Sequence, residues 1–389
     1  MDYCEYFTIF DEIVAIAYSK ALHLKLTQTI RIMKFLLKIL SGLYYMAISF
    51  RHWLFDCGLL KSHKFKTPII CVGNITVGGT GKTPTAEMII NYMQKEYNIA
   101  LLSRGYGRRT TGYMEVTNKS SYRDVGDEPL QIKLKFPNIL VVVCEKRVDA
   151  IKRIEEEHPE INLIIMDDGF QHRHVNARIN VVVVDATRPF EKDHYLPAGT
   201  LRDSLDSIYR GHYFIVTKCP KSMSHLDQRL WRKDLQKIAY QKIYFTRIAN
   251  TEPVPLFSEG TSIKPGDDVV VMSGIGNPKS FVRSMRRRYN IVKSFNFPDH
   301  HIYTVQDMQQ VAEELQKHPN AMLLTTEKDA VKLRRSRRIP EIVRQRMFYV
   351  PMKMEFIEGS DPDFLGTLNQ DIKGKIHLDN ETDNTQFEK

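Results

Sequence analysis

A chain of 389 residues, 42% hydrophobic and 26% charged, is long enough for two domains and too mixed for a multi-span membrane protein or a largely disordered one. Its formal charge of +10 asks for an anionic partner: nucleic acid, phospholipid or a phosphorylated substrate. Five scattered cysteines (Cys4, Cys57, Cys71, Cys144, Cys219) form no C-x-x-C pair, which argues for a reducing compartment and against a zinc site or disulfide framework.

The start of the chain is acidic (Asp2, Glu5), unlike the basic opening of a signal peptide. Residues 1–24 fit no element and read as an extension, and the first 32 residues are expected to be dispensable for folding. From Lys25 to Lys66 the chain turns basic and apolar. Leu26, Ile30, Met33, Leu37, Leu40 and Tyr44 recur at helical spacing, widened by Phe35, Leu36, Ile39 and Leu43, with Arg31, Lys34 and Lys38 on the other face. The uncharged run from Ile39 to Phe50 covers only ~18 Å at 1.5 Å per residue, short of the ~30 Å hydrocarbon core. The pattern predicts a basic amphipathic helix lying in an anionic membrane interface, with packing on the protein's own core as the alternative.

An apolar strand, Ile69–Val72, then runs into Gly73-Asn74-Ile75-Thr76-Val77-Gly78-Gly79-Thr80-Gly81-Lys82-Thr83-Pro84, followed by a helical stretch around Ala86–Tyr92. Glycines free successive N–H groups to face a phosphate, and the helix N-terminus adds partial positive charge. Residues Thr76, Val77, Gly78, Gly79, Thr80, Gly81, Lys82 and Thr83 are thus the expected nucleotide loop. Lys82 is aimed at the β- and γ-phosphates and Thr83 at Mg²⁺, although Thr76 stands where the generic pattern has glycine. The chain is predicted to bind a nucleoside triphosphate.

Short β-branched runs follow at Ile99–Ser103, Ile139–Val143, Leu163–Met166, Asn180–Val184 and Tyr213–Thr217, alternating with helical segments. That is the pattern of an α/β fold: a P-loop parallel sheet covered by helices on both faces. Ligands in such sheets sit beyond the strands' carboxyl ends. Found there are the basic loop Ser103-Arg104-Gly105-Tyr106-Gly107-Arg108 and the run Asp167-Asp168-Gly169-Phe170-Gln171-His172. Asp185 follows, ahead of Leu196-Pro197-Ala198-Gly199-Thr200-Leu201-Arg202-Asp203. An apolar strand ending in aspartate is the second Mg²⁺-supporting element of a P-loop protein. Gly126-Asp127-Glu128-Pro129 reads as a tight turn; most such turns face solvent, and the functional reading makes one carboxylate a base and the other a Mg²⁺ support.

The domain 67–250 ends at a proline-rich connector, and a smaller α/β domain over 251–373 is expected beyond it. Its Gly274-Ile275-Gly276 reads as a turn, and His300-His301 as a poor metal site. The Arg334–Arg338 cluster reads as a solvated basic patch, and residues 374–389 as a disordered tail.

Taken in order, these motifs resemble the tetraacyldisaccharide 4′-kinase family of lipid A biosynthesis. Val72 through Pro84, Ser103–Gly107, Gly126–Pro129, Asp167–His172, Leu196–Gly199, Phe297-Pro298-Asp299-His300 and Thr326-Glu327-Lys328-Asp329 carry the likeness across roughly 35–355. The resemblance implies transfer of the ATP γ-phosphate to the 4′-hydroxyl of an acylated glucosamine disaccharide 1-phosphate at the cytoplasmic face of the inner membrane. It makes Asp127 the base with His300 its partner, and Thr83, Glu128 and Asp168 the Mg²⁺ shell. Asp167 and His172 become supports, and Asn74, Arg104 and Arg202 candidates for gripping sugar and 1-phosphate. Asp203 departs from the glutamate expected there.

The competing reading is a P-loop switch, either a GTPase or a metallochaperone- or targeting-type ATPase. The guanine-reading position holds Thr217-Lys218-Cys219-Pro220, with no acid for the base edge, and no cysteine- or histidine-rich stretch is present to carry a metal. Nucleic acid is not an expected partner, because positive charge gathers beside the apolar N-terminal helix.

Overall fold

The computed structural model describes residues 31–190, 193–257, 262–336, 338–357 and 363–374. The expected extension over 1–24 and the tail beyond 374 lie outside them.

Near-continuous apolar strands explain the larger sheet, whose order is β14-β8-β7-β6-β1-β5-β2-β4-β3. β1 (Ile69–Gly73) lies between β5 (Leu163–Asp167) and β6 (Ile179–Asp185), both parallel to it. β2 (Ile99–Ser103), β4 (Leu140–Val143), β7 (Tyr213–Thr217) and β8 (Lys242–Asn250) extend the parallel core. Short β3 (Met114–Glu115) and β14 (Met352–Phe356) close the edges antiparallel. Consecutive residues Ile69, Ile70, Cys71 and Val72 are all at most 2% exposed, so both faces of β1 are covered. α2 (Lys82–Met93) buries Ala86, Ile89, Ile90 and Met93 against the sheet, in one cluster with Phe364, Leu368 and Ile372 of α11 (Phe364–Lys373). α5 (Arg147–Glu157) buries Ala150, Ile151 and Ile154.

The smaller sheet has the order β11-β10-β12-β13-β9: Asn290–Asn296, Asp268–Ser273, Met322–Thr326, Met347–Val350 and Val254–Pro255. α7 (Pro278–Arg286), α8 (Val305–Lys317), α9 (Glu327–Leu333) and α10 (Glu341–Arg346) accompany it. Met352–Phe356 and Phe364–Lys373, which the sequence reading placed with the smaller sheet, belong with the larger one. β14 pairs with β8, and α11 packs beside α2. Both sheets belong to one compact unit, residues 60–188 and 205 onward.

The other unit joins 31–59 to 189–204. Its helix α1 (Arg31–Asp56) has 26 residues and a mean hydropathy of 1.4 over 18 of them, long and apolar enough by length and composition alone to cross a membrane. The expectation of a non-spanning segment rested on the shorter uncharged run and took no account of the helix's full length. One stripe of α1 holds the segment around Tyr195. Ser41 Oγ donates to the Tyr195 carbonyl at 2.8 Å, Tyr44 Oη to the Arg202 carbonyl at 3.1 Å, and His52 Nε2 lies 2.6 Å from Asp203 Oδ1. The opposite stripe leaves Ile32, Leu36, Leu43, Met46, Phe50 and Trp53 exposed.

His212 is wedged where β6 and β8 begin. Its Nδ1 accepts from the Asn180 N–H at 3.0 Å, and burial pushes its pKa down to about 4, the Asp371 charge only partly opposing this. A depressed histidine contributes stability that is present above its unfolded value of about 6.5 and lost as pH falls towards 4. At ~1.4 kcal/mol per pH unit this amounts to about 3 kcal/mol at most. Urea midpoints measured from pH 7 to 4 are expected to fall less steeply in His212→Gln than in the unsubstituted protein.

Candidate active site

The loop between β1 and α2 is braced from three sides. Asn74, fully buried, donates from Nδ2 to Thr80 Oγ1 at 2.8 Å. Thr217, at the end of β7, donates to the Thr80 carbonyl at 2.6 Å, and Lys218 Nζ reaches the Gly79 carbonyl at 2.5 Å while pairing with Asp185. Gly81 adopts φ 100° immediately ahead of α2, a conformation L-residues avoid, and so turns the chain into the helix. Lys82 and Thr83 thereby stand in the first turn of α2, and Lys82 Nζ lies 3.7 Å from Asp168 Oδ2.

Beside the loop, β5 ends in Asp167, and Asp168 follows with φ 50°. Asp167 is 2% exposed, and its Oδ1 has no hydrogen-bond partner among the described residues. Burial, together with the charges of Glu128 and Asp168, pushes its carboxyl far above the usual range; Lys82 and Arg147 oppose this incompletely. The charges of Glu128 and Asp168 both reach Asp167, and carboxylate oxygens, one of them unsatisfied, are the donor type a hard divalent cation takes.

Gly126-Asp127-Glu128-Pro129 is not a solvent-facing turn. It opens the helix α4 (Asp127–Lys135), with Gly126 at φ 92° as the cap. Gly126 and Gly105 approach so closely that a Cβ on Gly126 would sit 3.2 Å from the Gly105 Cα, which locks the Arg104-Gly105-Tyr106 loop onto the start of α4. Asp127 is 5% exposed. Its Oδ1 accepts from the Glu128 N–H at 2.9 Å, and its Oδ2 lies 3.0 Å from His300 Nδ1. His300, also at positive φ (57°), packs its ring 5.0 Å from that of Tyr106.

Lys328, the second residue of α9, stands among these groups. Its Nζ lies 3.1 Å from Glu128 Oε1, 3.3 Å from His300 Nε2, 3.6 Å from Asp299 and 3.8 Å from Asp127. An ammonium can only donate, so it makes His300 Nε2 the acceptor and leaves the ring proton on Nδ1, facing Asp127. Burial raises the Asp127 carboxyl, but the His300 hydrogen bond and the charges of Lys328 and Lys332 outweigh it and hold the group below its ordinary value. The Asp127 hydrogen bond in turn raises the His300 pKa, against burial and the Lys328 charge. Burial lowers the Lys328 pKa, and the three carboxylates more than reverse it.

A P-loop lysine, an acidic strand end and an Asp–His pair within one compact unit are the parts of a phosphotransferase. The tetraacyldisaccharide-1-P 4′-kinase family matches residues 33–373. The chain belongs to that family. The kinase is 39% identical over 342 residues to a tetraacyldisaccharide 4′-kinase of Porphyromonas gingivalis, covering 85% of this chain and 95% of the relative. Against the enzyme of that name from Phocaeicola vulgatus it is 35% identical over 353 residues, covering 88% and 96%. LpxK from Aquifex aeolicus, solved in complex with ATP, matches with a TM-score of 0.68 at 25% identity over 88% of this chain and 98% of that one. The kinase is an ATP-dependent transferase of lipid A biosynthesis, with Mg²⁺ the expected companion of its nucleotide.

Of the residues singled out from sequence, Lys82, Asp127, Glu128, Asp167, Asp168 and His300 are joined by the contacts and charges described above. Thr83 is beside Lys82 in α2, and His172 lies in the turn after Asp168, its N–H on the Gly169 carbonyl at 2.8 Å. Arg104 is exposed on the Tyr106 loop, and Arg202 belongs to the unit built on α1. Sequence reasoning gave no role to Lys328, Lys218 or Arg147. Arg147, first in α5, is 2% exposed with its Nε and Nη2 unpartnered among the described residues, and burial lowers its pKa to about 10. The Thr-Glu-Lys-Asp motif was a signal for Lys328; nothing local distinguished Arg147.

Proposed function

We propose that the kinase moves the ATP γ-phosphate onto the 4′-hydroxyl of tetraacyldisaccharide 1-phosphate, with Asp127 as general base and His300 as its partner. The observation that carries this is the 3.0 Å contact between Asp127, at the head of a helix on the larger sheet, and His300, on a loop of the smaller one. As the sugar oxygen bonds to phosphorus and the bond to the ADP oxygen breaks, the hydroxyl proton passes to Asp127. A carboxylate below its ordinary pKa is a weak base for an alcohol. The Nδ1–H of His300 fixes its orientation and stabilises the charge that shifts during transfer. Lys82 neutralises charge on the transferring group, and the braced loop holds the phosphates in line.

Thr83, Glu128 and Asp168 would hold Mg²⁺, which supplies further charge neutralisation on the phosphates. Asp167 would orient that set from behind, with His172 in support. Asn74, buried with its amide on Thr80, suits bracing the nucleotide loop better than gripping sugar. Arg104 remains a candidate for the sugar 1-phosphate, as does Arg202. The test is transfer of radiolabelled γ-phosphate from Mg²⁺–ATP to the detergent-solubilised disaccharide lipid. Labelled bis-phosphorylated lipid is expected, and ATP hydrolysis without labelled lipid would instead favour a switch-type ATPase.

The exposed apolar stripe of α1, with Arg31, Lys34 and Lys38 at one end, supports docking on an anionic membrane surface at the cytoplasmic face, where an acylated substrate resides. One stripe packs on residues 193–204 and the other is free for lipid, which suits a helix lying in the interface. Burying a large apolar side chain contributes ~1.5–3 kcal/mol. Leu43→Glu with Phe50→Glu is therefore expected to weaken co-sedimentation with phosphatidylglycerol vesicles by at least about tenfold. Activity on a short-chain soluble acceptor should be kept, since both side chains are exposed.

A further inference from the structure

Away from the nucleotide loop, a cavity of about 620 Å³ opens between the segment 119–123 and the residues that follow His301 and Leu333. Among the described residues five cations line it, Lys119, Arg123, Lys332, Arg335 and Arg338, and no carboxylate does. Four of them (Lys119, Arg123, Arg335 and Arg338) make no ion pair among the described residues. Arg335 is spent only on the carbonyls of Asn118 and Ser120, and Arg123 on the hydroxyl of Tyr122. Lys332 is paired with Asp329 and Arg123 has Asp124 beside it, but five cations around one concavity outnumber these acids, which raises its potential and favours an anion. Hydroxyls of Ser121, Thr304 and Ser336 offer further donors, above a floor of Leu130, Met308 and Val331. A volume of this size suits a small molecule and not a lone ion.

The fifth cation gives the cavity a route to the chemistry. Lys332 is 6% exposed, lies 3.1 Å from Asp329 and 3.9 Å from Asp127 Oδ2, and also lines the cavity. It shares α9 with Lys328, and Leu130 of the floor shares α4 with Asp127. An anion drawn to this basic wall competes with Asp127 for Lys332.

We propose that this cavity is a second anion site, distinct from the nucleotide loop, that takes a small phosphorylated ligand and acts on Asp127 through Lys332. The binding part stands on the cavity alone. The coupling rests on the reading of Asp127 as the base, so the two are tested separately.

The probe is inorganic pyrophosphate, titrated calorimetrically into full-length kinase saturated with Mg²⁺ and a non-hydrolysable ATP analogue. A second binding event is expected, weakening as salt rises and surviving in Lys82→Ala. Lys119→Glu with Arg338→Glu, both exposed positions, should weaken it by at least about tenfold. No event once the nucleotide loop is filled, or an event indifferent to the double reversal, would overturn the site. For the coupling, pyrophosphate at saturating ATP is expected to change kcat in the unsubstituted kinase and not in the double variant, whose basal rate is unchanged. Binding that left kcat untouched would overturn the coupling, whereas an Asp127→Asn kinase as fast as the unsubstituted one would remove the base reading beneath it.

Discussion

Asp127→Asn is expected to lower kcat by about 10² to 10⁴, the range general-base catalysis contributes, while changing KM for ATP by no more than about twofold. The amide keeps the shape but cannot take a proton, and its single oxygen can accept from only one of the two donors, the Glu128 N–H or the His300 Nδ1–H. The loss should therefore fall on the chemical step and not on nucleotide binding, which rests on the braced loop around Lys82. Asp127 is held below its ordinary pKa and so is ionised through the neutral range. The neighbour whose protonation bears on this base is His300, whose pKa is raised above its ordinary value by the same contact. Protonated, it clamps Asp127 and weakens it as a base; neutral, it donates one hydrogen bond only. The kcat/KM profile is expected to rise as pH passes upward through the His300 pKa, and that limb should vanish in His300→Asn. In stability the raised His300 has the opposite sign: its contribution is full below about 6.5 and fades as pH rises through the raised value, while that of the depressed Asp127 is lost only as pH falls through the acid range. An Asp127→Asn kinase as fast as the unsubstituted one would remove the base assignment and leave the family intact.

Much of this architecture was legible because strands buried on both faces write themselves as unbroken apolar runs. Ile99–Ser103 and Tyr213–Thr217 lie where the sequence placed them, and the other four differ by one residue at an end or, for Ile179–Asp185, at both. β8 escaped notice because Lys242, Thr246, Arg247 and Asn250 interrupt it: it lies next to the edge and mixes faces. β14 and α11 were assigned with the smaller sheet because their pairing partners lie about a hundred residues or more away, which no local pattern records. Phosphate chemistry is legible for a different reason. A backbone that must wrap an anion needs glycines at fixed spacing, whereas the Asp127–His300 contact spans 173 residues and came only from a family likeness. The solvent-turn reading of Gly126–Pro129 failed on packing: Gly105 and Gly126 bring two loops into van der Waals contact, a tertiary fact, and so turn a polar tetrapeptide into a buried helix start.

Lys328→Met should show how far that corner depends on one cation. Its ammonium touches Glu128 and His300 directly and lies within 4 Å of Asp127 and Asp299, joining α9 of the smaller sheet to α4 of the larger. Breaking a buried ion pair costs about 3–5 kcal/mol. Glu128 is one-third exposed, so solvent would recover part of that, and about 2 kcal/mol is expected as a lowered urea midpoint. The kinetic effect has its own sign. Lys328 opposes protonation of His300 and favours ionised Asp127, so without it both groups hold protons to higher pH. The acid limb of kcat/KM should move upward, and kcat at neutral pH should fall by about ten- to a hundredfold. Lys328→Arg keeps the charge and should restore stability more fully than rate, because a planar guanidinium cannot meet Glu128 and His300 Nε2 as a compact ammonium does. A Met variant with an unmoved limb and a kcat within about twofold would reduce Lys328 to a structural tie between the sheets. A shifted limb would place it with Asp127 and His300, as the cation that decides where the ring proton sits.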